Sequence, residues 1–186
     1  AIDTHTGSVF AATPNLPGWA GFHLRAFAEQ RFQLPVRVHN DAHAAVLAEL
    51  HFGLGRSLSD FVALTVGTGV GGGIVSGGRL QPGQHGFAGT IGHQTSRLDG
   101  RECNCGRRGC LEAYVSTAAL IQEYEDRQPM ERLDPKTEPS AQAHRISQLA
   151  LAGDAAAQSA YAALAGYLAE GVANIFNISD PEAVIL

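Results

Sequence analysis

Apolar and polar positions alternate along this chain in short blocks, and the blocks change period repeatedly. "GSVFAATPN" (7–15) reads as a short strand ending in a Pro-Asn turn, and apolar residues at Phe22, Leu24, Phe27 and Ala28 predict a helix within 19–32. "LPVRVHN" (34–40) is expected to be a short buried strand. It runs into "DAHAAVLAELHFG" (41–53), a stretch of strong helix formers with Asn-Asp at its start and Gly53 at its end. "DFVALTVG" (60–67) and "GGGIVSGGRL" (71–80) carry the β-branched, apolar signature of two strands. Residues 81–110 are glycine-rich without periodicity, which marks a long functional or metal-tied loop. "LEAYVSTAALIQEYEDR" (111–127) returns to helix, and "QPMERLDPKTEPS" (128–140) is a polar surface excursion. Alanine-rich helices are predicted at 141–152 and 154–177, and "EAVIL" (182–186) begins a further strand. Strands alternating with helices in this way predict an α/β fold.

Composition narrows the function. With 186 residues, 45% of them hydrophobic, the chain can bury one large core or two small ones. Charged residues make up 17% and the formal net charge is −5, which argues against nucleic-acid binding through this segment, because neutralising phosphates needs clustered Lys and Arg. No apolar run approaches the ~20 residues of a membrane span, and no leader pattern opens the chain, so the expectation is a cytoplasmic protein with no membrane partner. The first residue is Ala1 and the single methionine is Met130, consistent with a segment of a longer protein.

All three cysteines fall in "ECNCGRRGC" (102–110). A disulfide would leave one thiol over, and disulfides rarely persist in the cytosol. A thioredoxin-type motif needs two residues between its cysteines, whereas Cys103 and Cys105 are separated by one. Gly106 and Gly109 allow the chain to wrap around a common centre. Three thiolates closing a tight loop suit Zn²⁺, which takes four tetrahedral ligands. His93 is the nearest imidazole for the fourth position, with Glu112, Asp99 and His85 as weaker candidates. Such a site has no open coordination position and is expected to be structural.

"VGTGVGGGIVSGG" (66–78) contains G-x-G-x-x-G at Gly67, Gly69 and Gly72. A dinucleotide site would require a long helix directly afterwards, and a Walker loop would require Gly-Lys-Ser/Thr. Neither follows, so the run is expected to be a hairpin with Thr68 and bare glycine amides at its tip. Such a nest can approach phosphate oxygens closely, although a ligand-free hairpin fits the same residues. Asn40-Asp41 admits two readings as well: an N-cap, or a carboxylate held ionised by the helix's positive end and able to accept a hydroxyl proton.

The order of these motifs is informative. "TPNLPGW" (13–19), "HNDAHAAVLAE" (39–49), "VGTGVGGGIVSGG" (66–78), "GTIGH" (89–93) and "CNCGRRGCLE" (103–112) together resemble the ROK family of repressors and sugar kinases, over residues 1 to about 125. The resemblance implies part of an actin-like ATPase (ribonuclease H-like) fold with a zinc-tied loop. In it, 1–58 ends the N-terminal lobe, including the Asp41 helix, and 59–186 forms the C-terminal lobe. It implies an ATP- and Mg²⁺-dependent kinase acting on a hexose or N-acetylhexosamine. Asp41 would be the catalytic base. Asn15, Asn40, Thr90, His93 and Glu112 would be sugar contacts, and Gly67, Thr68 and Gly69 the phosphate-binding turn. Structural zinc would sit on His93, Cys103, Cys105 and Cys110, and a homodimer follows by analogy. A sugar-sensing domain of a ROK transcriptional repressor is the alternative.

Two departures from the family pattern stand out. The family reads G-E-I-G-H where this chain has Thr90, a neutral hydroxyl in place of a carboxylate; this weakly favours an N-acetylhexosamine, and a member without kinase activity would show it equally. The opening D-x-G-G-T phosphate loop has no counterpart, and "AIDTHTG" (1–7) reads as a surface turn. The 186 residues alone are therefore expected not to phosphorylate sugar.

Overall fold

A computed structural model of the chain describes residues 2–12, 16–128 and 133–186. The chain divides into two compact units. One comprises Ala1–Leu64, Gly72–Thr90 and Pro181–Leu186, the other Thr65–Gly71 and Ile91–Asp180.

The first unit opens with a two-stranded ribbon, β1 (Ile2–Asp3) and β2 (Ser8–Val9), paired antiparallel. Between them the Asp3 carboxylate accepts the backbone amides of His5 and Thr6 at 2.9 and 3.3 Å, a self-closed turn. Helix α1 (Leu24–Phe32) starts later than the apolar spacing suggests. The backbone just before it is used differently: Val9 N–H donates to the Phe22 carbonyl (2.9 Å) and Gly21 N–H to the Val9 carbonyl (2.7 Å). The strand expected at 34–40 does not form. A strand exists through its ladder, and 34–40 has no ladder partner among the described residues; instead the Val36 amide donates to the α1 side chain Glu29 at 3.2 Å.

Helix α2 (Asp41–Phe52) packs its Val46 and Leu50 against a four-stranded sheet of order β5-β4-β3-β6. The strands are β3 (Phe61–Val66), β4 (Val70–Ser76), β5 (Arg79–Leu80) and β6 (Ala183–Ile185). Three residues between β3 and β4 can only reverse the chain, and β4 turns again into β5 through Gly77 and Gly78, both at positive φ. β6 returns from far along the chain to lie parallel to β3, matching Phe61 with Ala183 and Ala63 with Ile185. Its approach is tied by Glu182, which accepts the amides of Ser59 and Asp60 at 2.7 and 2.9 Å. Phe61, Val46, Val75, Ala63 and Ile185 form the core, each large side chain contributing ~1.5–3 kcal/mol on burial.

The second unit is helical. The helix expected over 111–127 is split into α3 (Glu112–Val115) and α4 (Thr117–Arg127). Ser116 breaks it by taking an extended conformation and capping α4 through the Ala119 amide. Helix α5 (Pro139–Leu151) begins with proline, where a missing N–H costs nothing. Helix α6 (Ala155–Ser179) is capped by Asp154 and stopped by left-handed Asp180 before Pro181. Alanines 157 and 160 let α6 approach α4 and α5 around Leu120, Tyr124 and Ile146. Among the described residues no helix is long and apolar enough to cross a membrane.

Candidate functional site

In the first unit, the capping role at Asn40-Asp41 falls on one residue. Asn40 is the cap: its Oδ1 accepts the amides of Ala42 and His43 at 3.1 and 3.4 Å. Asp41 is then the first helical residue, exposed, with Oδ1 accepting the Ala42 amide at 2.9 Å. Two residues further, buried His43 reaches the Ala88 carbonyl through Nε2 (3.0 Å) and so holds the loop that ends at Thr90. Composition and period gave no sign of this role for His43. Neighbouring His39 has its basicity lowered by burial first, then by the positive fields of His43 and Arg37. Thr90 is exposed, and its hydroxyl donates to the Phe87 carbonyl at 2.8 Å. Its proton is therefore engaged and its lone pairs remain as acceptors. Asn15 lies outside the described residues.

In the second unit, His93, Cys103, Cys105 and Cys110 converge, with one donor atom from each lying within 4.8 Å of the others. Four ligands at zinc bond lengths, tetrahedrally arranged, stand about 3.3–3.8 Å apart. Cys103 Sγ to His93 Nδ1 is 3.7 Å, and Cys105 Sγ to Cys110 Sγ is also 3.7 Å. The latter separation is far from the ~2.05 Å of a disulfide, and all three thiols are free. Soft donors at this spacing fit Zn²⁺, with His93 completing the set and Asp99 and His85 not part of it.

Burial pushes the Cys103 thiol up to about 12. It also raises Cys110, helped by the hydrogen bond with Cys105. Burial opposes ionisation of Cys105 too, but the Arg107 amide and the neighbouring thiols outweigh it and hold that group low. Two thiols that resist ionisation in an apolar setting are stabilised as thiolates by a divalent cation.

The loop is built to hold these donors. Gly109 sits at φ +78, and a Cβ there would collide with the Arg97 carbonyl, while its own carbonyl accepts the amides of Ser96 (2.8 Å) and Arg97 (3.2 Å). Arg107 donates to the His93 carbonyl (3.2 Å) and to Thr95 Oγ1 (2.9 Å), fixing the turn that carries the imidazole. Its neighbour Arg108 only pairs with exposed Glu102. Nothing in "GRRG" tells these two arginines apart. At the loop's entry Arg101 pairs with buried Glu123, which also pairs with Arg127. Burial alone would raise the Glu123 carboxyl, but hydrogen bonds from Arg127 and Arg101 outweigh it and hold it below the usual range.

The glycine turn is closed by Gly67 N–H donating to the Gly69 carbonyl (2.9 Å). Thr68 and Glu112 line one cleft of about 170 Å³ together with Arg101, Cys103, Asn104 and Ser116. Thus the second unit brings together Gly67, Thr68, Gly69, His93, Glu112 and the cysteines, while Asn40, Asp41 and Thr90 belong to the first.

The α/β chain superposes on sugar kinases of the actin-like ATPase fold, at TM-scores of 0.84 and 0.81. Residues 2–186 match the model of the ROK family, and the chain belongs to that family. It is 39% identical over 194 residues to the xylose repressor of Caldicellulosiruptor bescii, a match that takes in all of this chain and 47% of the repressor. It is 36% identical over 191 residues to the glucokinase of Halalkalibacterium halodurans, again across its whole length and 57% of that enzyme. Among solved structures, the ROK glucokinase of Streptomyces griseus in complex with glucose and AMPPNP superposes with a TM-score of 0.84 at 34% identity, over 98% of this chain and 61% of that one. The chain spans about half the length of the curated relatives it matches.

Proposed function

We propose that this chain is part of a ROK sugar kinase that transfers the γ-phosphoryl group of Mg²⁺-bound ATP to a hydroxyl of a hexose or N-acetylhexosamine. The observation that carries this reading is the division of labour at the start of α2. Asn40 does the capping, so the exposed Asp41 carboxylate is available to accept a proton. In the proposed reaction Asp41 takes the proton of the attacking sugar hydroxyl as the oxygen attacks phosphorus. Gly67, Thr68 and Gly69 receive phosphate oxygens. Asn15, Asn40, Thr90, His93 and Glu112 contact the sugar, Thr90 as a neutral acceptor in the position of the family's carboxylate. With Nδ1 of His93 facing Cys103, its Nε2 is left to hydrogen-bond a hydroxyl.

His93, Cys103, Cys105 and Cys110 would hold zinc, whose four protein donors leave it a structural tie for the loop. In this proposal 1–58 ends the N-terminal lobe and 59–186 forms the C-terminal lobe of a cytoplasmic, homodimeric enzyme. The test is Asp41→Asn in the full-length protein. We expect turnover to fall by about 10²-fold or more while sugar binding, measured by calorimetry, persists. Turnover within a few-fold of the parent would remove Asp41 from the base role.

A second reading is a sugar-sensing domain of a transcriptional repressor. Similarity to the xylose repressor of C. bescii at 39% identity favours it. Saturable sugar binding by the full-length protein, with no ATP-dependent product and with sugar-sensitive DNA binding, would decide for the repressor.

A further inference from the structure

The glycine turn and the cysteine loop are separated by more than thirty residues in sequence, yet one side chain joins them. Glu112 Oε2 accepts the Val70 amide at 2.9 Å, at the first residue of β4. Its other oxygen, Oε1, lies 3.8 Å from the Cys103 thiol, which donates to it only while Cys103 keeps its proton; the backbone tie to the cluster is through Cys110, two residues before Glu112. Two features show that the turn is shaped around this carboxylate. A Cβ on Gly69 would stand 2.6 Å from Glu112 Oε2, so a side chain at 69 and the Glu112 carboxylate compete for one place. The Val70 carbonyl, in the next peptide along, is packed against Gly92 so closely that a Cβ there would collide with it; Gly92 immediately precedes the ligand candidate His93. On the near side of the turn, the Thr117 amide and hydroxyl both donate to the Gly67 carbonyl, at 2.8 and 3.0 Å. Residues 67–70 are therefore gripped by the elements that carry the His-Cys₃ cluster, and Glu112 makes the direct link.

We propose that Glu112 is a positioning residue for the glycine turn, tying the Val70 amide to the cysteine loop so that metal in the His-Cys₃ cluster orders the residues that meet phosphate. This deepens the kinase reading and rests on it for the phosphate role of the turn; the mechanical link itself does not. Metal held by Cys110, two residues before Glu112, would fix the backbone that carries this carboxylate, and the carboxylate passes that order to the turn. The metal then acts on the phosphate turn as well as on the loop it closes.

The test follows amide hydrogen exchange at Val70 in the full-length protein, as zinc-loaded and chelator-stripped forms of the parent, Glu112→Gln and Glu112→Ala. A hydrogen bond to a charged acceptor slows exchange by about tenfold or more, so Glu112→Ala should exchange at least that much faster at Val70, and Glu112→Gln, which keeps a neutral acceptor, should fall between it and the parent. Stripping zinc should accelerate Val70 in the parent and add little in Glu112→Ala, because both changes cut the same link. Inorganic tripolyphosphate should bind the variants and the stripped parent more weakly. If Glu112→Ala does not fold by circular dichroism, Glu112→Gln and Gly69→Ala carry the test, the latter displacing the carboxylate from the turn. Val70 exchange unchanged on stripping while Cys103–Cys110 exchange rises would overturn the inference, and so would additive effects of stripping and mutation. The expected exchange pattern in a protein with no kinase turnover would leave the link standing and sink only the kinase reading.

Discussion

Replacing Glu123 by Gln should reveal how the entry to the cysteine loop is held. The Glu123 side chain is 8% exposed and faces two guanidiniums, Arg101 at 25% and Arg127 at 30% exposure. Breaking a buried pair from one side costs ~3–5 kcal/mol, because the remaining charge is left in a poor solvent. Both arginines here retain some water, so the low end applies, about 3 kcal/mol for the loss. With a urea dependence of ~2 kcal/mol per molar, the unfolding midpoint should fall by about 1.5 M at pH 7 with the slope unchanged. The pH dependence has a defined sign. The folded carboxyl titrates below its unfolded value of 4.5, so its stabilisation is complete above that value and is lost as pH falls through the lower folded one. Urea titrations of parent and variant at pH 7, 5 and 3 should therefore show the gap narrowing only in the acidic set. A midpoint shift under ~0.3 M at pH 7, or a gap that stays constant to pH 3, would refute the reasoning.

Three further outcomes are expected. Cys105→Ser removes one of four donors, so metal analysis after dialysis should fall from about one zinc per chain to a small fraction; full zinc content would remove Cys105 from the ligand set. Gly109→Ala forces a Cβ into left-handed backbone against the Arg97 carbonyl, at a cost of ~2 kcal/mol or more, and should lower the melting temperature by about 5 °C or more, whereas Arg108→Ala should leave it unchanged. Thr90→Glu supplies a charged acceptor where the family carries one, and calorimetry on the full-length protein should register glucose affinity higher by about tenfold; equal or weaker binding would show that Thr90 does not face the sugar.

Much of this protein was legible in its one-dimensional pattern. Residue type and end signals located α2, β3, β4 and the long helices at 139–151 and 155–179, because helix formers, β-branched runs and caps act on the backbone locally. Cysteine spacing and the nearby imidazole identified the four-donor cluster, because chelation by a short loop restricts which residues can converge. The ambiguity at Asn40-Asp41 could not be resolved that way. Both residues can cap, and only the placed Asn40 carbonyl oxygen, with two amides within reach, decides which one does.

Elsewhere tertiary structure had the decisive part. The segment 34–40 has strand composition but no ladder partner, and the 111–127 helix breaks because Ser116 serves the next helix as its cap. The two compact units interleave along the chain, which no linear reading of composition reveals. The roles of Arg107, Glu123, His43 and Glu112 likewise depend on partners 14, 22, 45 and 42 residues away. Local propensity and loop chemistry are written in neighbouring residues and survive in the sequence alone. A hydrogen bond between distant residues leaves no periodic trace, and exists only once packing has brought its two ends together.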